Sequence, residues 1–304
     1  MKKCSMTLMG IFVILLLAAC NDNEEPDELS DPSNTEQEEV NNEEITNSDD
    51  HTEEEMDDGE EEEEQADEIV QEEEPDPEPE PETAQPLYEL SESWNLVPLN
   101  DQVNEQVVLL TIDDGPDEHT LEMAKTLKEL EAPAIFFVNG HFLQTDEQKN
   151  ILKEIHDMGF AIGNHTYNHQ RLSEVDEDTQ KQEILELSEL IEDIIGETPK
   201  FFRAPNGVNT DYAKQFVKDQ GMLLMNWTYG YDYFEPYMDA EKLTEAMVTG
   251  EAPEVDVNYS LLKPGANLLM HDRKWTSAAL EDIVKGLREK GYKMADPNTI
   301  KLPE

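Results

Sequence analysis

Two adjacent carboxylates, Asp113 and Asp114, stand at the end of an apolar run and directly before a Gly-Pro turn. The run Val107–Leu110 predicts a β-strand, and successive side chains of a strand point to opposite faces. We therefore expect the carboxylates to diverge, so that Asp114 binds a metal ion while Asp113 faces a water bound to that metal. Asp113 is then a candidate general base. A capping or turn role for Asp113 is the alternative.

Two histidines four positions apart, His165 and His169, follow the strand-like segment Phe160–Gly163. One carboxylate and two imidazoles leave a coordination position open for water, as catalytic zinc sites do. Asp114, His165 and His169 are therefore the candidate metal ligands. The alternative of two unrelated surface histidines is weaker, because the chain has only seven histidines and the Asp pair lies upstream.

Two further polar clusters, around Arg203 and His271, also follow strand-like runs. His271 is placed to give a proton to a leaving group, although a single histidine at a strand end is more often structural. Arg203 follows two phenylalanines and should be partly buried, so it needs an anionic partner. Asp113 and Asp232 are both candidates for that partner.

Two loops could contact a substrate. Pro205 and Gly207 shape a turn whose backbone N–H groups could face a developing oxyanion. The aromatic segment from Trp227 to Phe234 suits either core packing or a platform for a sugar. The pattern of the residues leaves both roles open.

The segments that must position these groups alternate between strand-like and helix-like patterns, which favours a parallel sheet covered by helices. Six or seven such units over about 210 residues favour a barrel over an open sheet, with the polar clusters at the C-terminal strand ends. Strands are expected at Val107–Ile112, Ala134–Val138, Phe160–Gly163, Lys200–Arg203, Met222–Trp227, Asn267–Met270 and Lys293–Ala295. Helices are expected at Leu121–Glu131, Glu147–Met158, Asp178–Ile195, Asp211–Gln220, Ala240–Thr249 and Ser277–Lys290.

The N-terminus has the pattern of an export signal. Two lysines precede the apolar run Leu8–Ala19, which is too short to span a bilayer as a helix and is typical of a signal peptide. The run ends in Leu-Ala-Ala before Cys20 and resembles a bacterial lipobox, with ordinary secretion as the alternative. Cys4 is the only other cysteine, so the mature chain is expected to have no disulfide. We expect an extracytoplasmic protein, lipid-anchored to the cell membrane of a Gram-positive bacterium.

Residues 21–86 contain 32 Asp and Glu and no Lys or Arg. Such a segment buries too little apolar surface to offset its ordering entropy, so we expect a disordered tether. A tail that binds cations or a basic partner is the alternative. The remaining residues 87–304 still carry a net charge of about −22, which argues against nucleic-acid binding.

The four clusters, in this order and at these spacings, resemble the polysaccharide deacetylase family (carbohydrate esterase family 4) over roughly residues 100–298. The resemblance implies an α/β fold, a distorted (β/α) barrel with six to eight parallel strands. It also implies a divalent metal, usually Zn²⁺ with Co²⁺, Ni²⁺ or Mn²⁺ as other candidates, and hydrolysis of N-acetyl or O-acetyl groups on sugars.

The resemblance also implies roles for individual residues. Asp113 corresponds to the catalytic base, His271 to the acid, Arg203 to the arginine that orients the base, and Asp232 to a brace for that arginine. Asp114, His165 and His169 correspond to the metal ligands. The expected oxyanion and substrate contacts come from the backbone N–H of Asn206 and from Pro205, Leu269, Trp227 and Tyr233, with Leu269 lining the acetyl-methyl pocket.

Two positions depart from the family pattern. Asn206 stands where the family usually has Tyr, Phe or Arg, which should alter substrate fit before chemistry because only the backbone N–H is needed there. The aromatic loop has Asp232-Tyr233-Phe234 where the family usually has Asp-Trp, and the missing Trp is expected to reshape the substrate groove. Neither departure removes a catalytic group.

Three segments are expected: a signal peptide at 1–19, a lipidated Cys20 with an acidic linker at 20–86, and a catalytic domain at 87–304. The expected function is N-deacetylation of cell-wall polysaccharide, with peptidoglycan N-acetylglucosamine as the substrate and the enzyme a monomer. The alternatives are an O-acetyl esterase on xylan-like polymers and a wall-binding metal lipoprotein of low activity. A small-molecule amide substrate also remains open.

Overall fold

The computed structural model describes residues 85–303 of the chain. The signal peptide, Cys20 and the acidic linker up to residue 84 lie outside the described residues. In the described part the strands are β1 Tyr88–Leu90, β2 Leu96–Pro98, β3 Val107–Gly115, β4 Ala134–Val138, β5 Ala161–Asn164, β6 Phe201–Phe202, β7 Leu223–Leu224, β8 Ala266–His271 and β9 Lys293–Met294. The helices are α1 Thr120–Glu129, α2 Asp146–Asp157, α3 Glu177–Ile195, α4 Asp211–Asp219, α5 Ala240–Thr249 and α6 Lys274–Glu289.

Strands β3 to β9 form one parallel sheet in the order β7–β6–β5–β4–β3–β8, with β9 paired to β3. The central strands β3 and β4 are buried along almost their whole length, as expected for strands covered on both faces. The pairing aligns Asp113 with His271 and Val138 with Asn164, so the C-terminal strand ends meet at one edge. The predicted α/β fold class with six to eight parallel strands is confirmed.

The segment after β7 joins the two outer strands of the sheet. Thr228 N–H donates to Asn267 O on β8 at 2.7 Å, and Tyr229 forms a parallel bridge with Leu268. This segment therefore spans the gap between β7 and β8, and the sheet curls into a distorted barrel.

The two faces of the sheet pack against different partners. On β3, Leu110 and Ile112 belong to the core shared with α1 and α6, whereas Leu109 packs in a separate cluster with residues of β4 and β6. Side-chain alternation then places Thr111 and Asp113 on the face of Leu109, inside the curl.

The same alternation holds on β8. Leu268 and Met270 contribute to the core under the helices, so Asn267, Leu269 and His271 face the inside. Leu269 is buried there. It lies on the face of β8 that also carries His271, as its predicted place beside the site requires.

The six predicted helices are all present, and the largest shift is at α6, which begins at Lys274 instead of Ser277. The hairpin of β1 and β2 was not predicted, because strands of three residues show too little alternation. The hairpin contacts the chain just before β8, where Leu96 N–H donates to Gly265 O at 2.7 Å. The approach is so close that a Cβ on Gly265 would lie 2.0 Å from Leu96 O. None of the helices within residues 85–303 is both long and apolar enough to cross a membrane.

Candidate active site

Asp113 and Asp114 lie near the C-terminal end of β3, where the strand is irregular. The pairing with β4 shifts register between Asp113 and Gly115, and Asp114 has a left-handed backbone with φ of 66°. A bulge of this kind breaks the regular alternation of side chains. Nε2 of His165 accordingly lies 3.6 Å from Asp113 Oδ2 and 3.8 Å from Asp114 Oδ1. The expectation that the carboxylates diverge across a regular strand was wrong, because the bulge turns both toward one group.

Asp114, His165 and His169 form a group of possible metal ligands, with one donor atom from each within 4.8 Å of the others. His169 Nε2 lies 3.5 Å from Asp114 Oδ1. One carboxylate oxygen and two imidazole nitrogens are donors that suit zinc and related divalent metals. The structure therefore brings together the three residues that the sequence predicted as ligands.

The ring of His165 is oriented so that Nε2 is available to a metal. Its Nδ1 lies 2.7 Å from the carbonyl oxygen of Arg203, and this contact places the proton on Nδ1. Burial lowers the pKa of His165 and outweighs the opposing effect of the two carboxylates on β3. The neutral imidazole is the form that ligates metals, so the ring fits a metal ion here.

The second oxygen of Asp114 is held by a residue that the sequence did not single out. Arg273, at the start of α6, donates from Nη2 to Asp114 Oδ2 at 3.1 Å. Burial raises the pKa of Asp114, but His271, His165, His169 and Arg273 together lower it below its usual value. Asp114 is thus a carboxylate with one oxygen toward the two histidines and the other on Arg273.

Arg203 is fully buried beneath the carboxylates. Its Nη1 donates to Asp113 Oδ1 at 2.6 Å and to Thr111 Oγ1 at 2.8 Å, and its Nη2 donates to Asn226 O at 3.0 Å. The guanidinium carbon lies 4.3 Å from the ring centroid of Phe137, a cation–π contact. Burial lowers the pKa of Arg203, while the neighbouring Asp113 raises it. Of the two expected partners, Asp113 is the one that Arg203 contacts.

His271 is paired with Asp232. Its Nδ1 lies 2.8 Å from Asp232 Oδ1, and its backbone N–H donates to Asp232 Oδ2 at 2.6 Å. The expectation that Asp232 braces Arg203 was therefore wrong: Asp232 holds His271, and its Oδ2 also accepts from Thr276 Oγ1 at 2.8 Å. Burial lowers the pKa of His271, but Asp232 and the carboxylates of β3 raise it to about 9.

The turn after β6 presents a free backbone donor. The backbone N–H of Asn206 has no acceptor within residues 85–303, and Asn206 has a left-handed φ of 57°. The preceding residue, Pro205, is buried. Gly207 has φ of 66°, and a Cβ there would lie 2.9 Å from the ring of Trp227. The turn is therefore closely packed and can offer the Asn206 N–H to a developing negative charge.

The aromatic residues after β7 are divided between core packing and the surface beside the site. Tyr229 is buried in the main core. Trp227 lies beside the site, with its ring 5.8 Å from the Arg203 guanidinium carbon. Tyr233 is 43% exposed, and its ring stands edge-on to His271 at 5.7 Å. Trp227 and Tyr233 are thus placed where a substrate could touch them.

Several residues that position the site were not predicted. Thr111 donates to Leu268 O at 2.8 Å and accepts from Arg203, which links β3, β6 and β8. Its position two residues before Asp113, on the same strand face, was the available signal. Asp272 accepts from the backbone N–H of His119 at 3.0 Å and so ties the loop after β3 to the end of β8. Arg273 and Thr276 carry no comparable pattern in the sequence.

The curled parallel sheet thus carries a possible two-histidine, one-carboxylate metal site beside the Asp113–Arg203 and His271–Asp232 pairs, an arrangement suited to hydrolysis. Residues 100–225 match the family model described as polysaccharide deacetylase. Together with the relatives below, this match shows that the chain belongs to the polysaccharide deacetylase family, as the sequence motifs predicted.

Two relatives are peptidoglycan-N-acetylglucosamine deacetylases of Bacillus cereus. One is 30% identical over 190 residues, covering 62% of this chain and 66% of the relative, so the chain spans about two thirds of that protein. The other is 31% identical over 197 residues, covering 62% of this chain and 85% of the relative. A similar solved structure is a mutant of BA3943, a Bacillus anthracis pseudoenzyme of carbohydrate esterase family 4, with restored enzymatic activity. It has a TM-score of 0.57 at 25% identity and covers 65% of this chain and 70% of its own.

Proposed function

We propose that this protein removes acetyl groups from N-acetylated cell-wall sugars, with peptidoglycan N-acetylglucosamine as its substrate. One observation carries the proposal. Asp113 has one oxygen on Arg203 at 2.6 Å and the other 3.6 Å from the metal-facing nitrogen of His165. His271 stands at the end of the neighbouring strand β8 and is held by Asp232 from the segment after β7. A base and an acid therefore flank one possible metal position.

Asp113 acts as the general base in this mechanism. Its Oδ1 is occupied by Arg203, so Oδ2 is the atom free to take a proton from the attacking water. The resulting hydroxide forms a bond to the acetyl carbonyl carbon. Arg203 pairs with Asp113 and fixes its orientation, which is a positioning role.

His271 acts as the general acid. Its Nδ1 is held by Asp232, so Nε2 is the ring atom that can give a proton to the amide nitrogen. As that nitrogen is protonated, the C–N bond breaks and leaves acetate and a free amino sugar. A pKa of about 9 keeps His271 in the acid form at neutral pH.

Asp114, His165 and His169 would hold the metal, and we propose Zn²⁺ because the donors are two imidazoles and one carboxylate. Such an ion supplies Lewis-acid polarisation of the carbonyl and a lower pKa for a bound water. The Asn206 N–H is the proposed second donor to the oxyanion. Leu269, Trp227 and Tyr233 are the proposed contacts to the acetyl group and the sugar.

The substrate and the location are supported by different observations. The names of the relatives support peptidoglycan N-acetylglucosamine. The lipobox-like sequence before Cys20 and the acidic segment behind it support an enzyme anchored outside the cytoplasm and reaching the wall. Unlike a pseudoenzyme, a chain with an intact base, acid and set of ligands is expected to turn over substrate.

The test is acetate release by the zinc-loaded protein from purified peptidoglycan, N-acetylglucosamine oligomers and O-acetylated xylan. We expect release from the first two, with glucosamine appearing in the digested wall. Release from xylan alone would replace the proposal with the esterase alternative. Tight glycan binding without any acetate would indicate the low-activity binding protein.

Asp232→Asn should move the alkaline limb of the kcat/KM profile to lower pH by about 1–3 units, because the carboxylate that raises the pKa of His271 is removed. In the wild type the acid form is lost only as the pH rises through about 9. In the variant the charges of Asp113 and Asp114 remain, so the pKa falls but is still raised by them.

Activity measured from pH 5 to 10 tests this prediction. Thr276→Val is the matched control, because it removes one hydrogen bond to Asp232 but keeps the charge, so its limb should stay in place. An unchanged limb in the Asp232→Asn variant would contradict the role of His271 as the acid.

A further inference from the structure

The two histidines of the possible metal site are held in different ways. His165 is 2% exposed: its Nδ1 contacts Arg203 O, and its N–H donates to Val138 O at 2.9 Å. The His169 side chain is 32% exposed. Within residues 85–303 its ring makes no hydrogen bond; it lies 3.5 Å from Asp114 Oδ1 and edge-on to the ring of His165, with 4.9 Å between the centroids. The position of His169 therefore depends on the backbone that carries it.

That backbone is strained at both ends. Thr166 has φ of 69° and His169 has φ of 55°, values that residues with a Cβ adopt only when surrounding contacts hold them. Asn139 Nδ2 secures the first half of the loop by donating to His165 O at 2.7 Å and to Thr166 O at 3.1 Å. These bonds stop short of Asn168 and His169.

Glu183 holds the second half. This residue of α3 is 3% exposed. Its Oε2 accepts from Asn168 N–H and its Oε1 accepts from Asn168 Nδ2, both at 2.7 Å. Its own carbonyl accepts from Tyr167 N–H at 3.0 Å. One residue thus fixes both residues that precede His169.

The carboxylate is suited to this task for a chemical reason. An ionised carboxylate only accepts hydrogen bonds, and here both oxygens are used on donors of one residue. Glu183 takes part in none of the ion pairs found within residues 85–303, so its carboxylate does not serve as a salt-bridge partner. Short bonds to an ionised acceptor are stronger than neutral ones, which suits a loop under strain.

We propose that Glu183 is a positioning residue for the metal site: it clamps Asn168 and thereby sets His169 to bind the metal. The inference rests on the proposed metal site but not on the identity of the substrate. Partners that orient metal ligands typically contribute about 10–100-fold in metal affinity.

The experiment measures Zn²⁺ affinity by competition with a chelator, using the full chain, beside the thermal unfolding of the metal-free protein. Glu183→Ala should weaken affinity by about 10–100-fold. Glu183→Gln should stay within about threefold, because Asn168 can flip its amide and keep both bonds.

A reversed pair separates geometry from charge. Asn168→Asp sets two carboxylates against each other and should weaken affinity by about tenfold or more. Adding Glu183→Gln restores matching donors and acceptors at the wild-type net charge and should recover that loss. Gln180→Ala is the control, because Gln180 is also buried on α3 but bonds Thr210, away from the histidines. It should lower the unfolding temperature without changing affinity.

Wild-type affinity in Glu183→Ala, with clear loss in a His169→Ala variant, would overturn the inference and leave the metal site standing. The inference would also be overturned if Gln180→Ala lost Zn²⁺ affinity in proportion to its loss of thermal stability. The weaker affinity of Glu183→Ala would then reflect general destabilisation. A wild-type protein that binds no Zn²⁺ would overturn both the metal site and the inference.

Discussion

Replacing Asp113 with Asn should lower kcat by about 10²–10⁴-fold, the usual contribution of a positioned general base, while the protein still binds one equivalent of Zn²⁺. Asparagine is nearly the same size as aspartate. Its carbonyl oxygen can still accept from Arg203, so the packing around the buried guanidinium is kept. The change removes the one property that the mechanism requires, the ability to take a proton from water.

Zn²⁺ should remain bound because Asp113 is outside the predicted ligand set. Asp114, His165 and His169 supply the donor atoms that lie within 4.8 Å of one another. KM should change little, since the amide leaves the shape of the site intact. The combination of lost turnover, retained metal and unchanged KM distinguishes a base from a ligand or a substrate contact.

Asp117→Asn is the matched control for this prediction. Asp117 is an exposed carboxylate four residues further along the chain, so its neutralisation makes the same change in charge outside the predicted ligands and the acid–base groups. Full activity is expected from that variant. Loss of Zn²⁺ from Asp113→Asn, or turnover close to that of wild type, would contradict the role of Asp113 as the base.

The order of the elements and the edge at which the site forms could be predicted from the sequence, because both follow from local patterns. Apolar runs such as Ala134–Val138 coincide with the observed strand. Parallel strands bring their C-terminal ends to one edge, and that rule alone gathers the residues around Asp113, His165, Arg203 and His271. The apolar patterns therefore predicted most of the strands and helices, and the edge of the sheet at which the site residues meet.

The partner of Asp232 could not be predicted, because it depends on the path of the chain between strands. Met225 still lies beside β6, because its N–H donates to Phe202 O at 2.9 Å. Three residues later, Thr228 N–H donates to Asn267 O on β8. The segment has crossed to the other edge of the sheet before it reaches Asp232. Asp232 therefore lies beside His271 and not beside Arg203.

The backbone conformation of Asp114 could not be predicted from the sequence either. A left-handed aspartate at a register shift has no distinct pattern in the sequence, since Asp visits that region only occasionally. The bulge nevertheless determines how the two carboxylates are placed in the site. It brings Asp113 and Asp114 to the same histidine, where a regular strand would have separated them.

The second large effect concerns stability: Arg203→Met should cost about 3–5 kcal/mol of the free energy of unfolding, as breaking a buried ion pair typically does. Arg203 is fully buried and Asp113 is 2% exposed, so solvent cannot replace the lost partner. Methionine fills much of the volume but leaves the carboxylate of Asp113 without a cation. It also leaves the carbonyl oxygen of Asn226 without the Nη2 donor.

Urea unfolding of the metal-free protein measures this loss. Thr111→Val removes two neutral hydrogen bonds, one from the same guanidinium and one to Leu268 O, and should cost about 1–3 kcal/mol, twice the net worth of a typical hydrogen bond. The difference between the two variants isolates the cost of the unpaired charge from that of a lost bond.

The double variant Arg203→Met, Asp113→Leu decides between charge and packing as the cause. If the unpaired carboxylate is the source of the instability, removing it should recover much of the loss, because apolar replacements of buried ion pairs are often neutral. If the double variant is less stable than Arg203→Met by a further large amount, packing is the cause and the ion-pair explanation fails. Recovery of stability would mean that the ion pair brings no net gain in stability and that Arg203 serves to hold Asp113 in place.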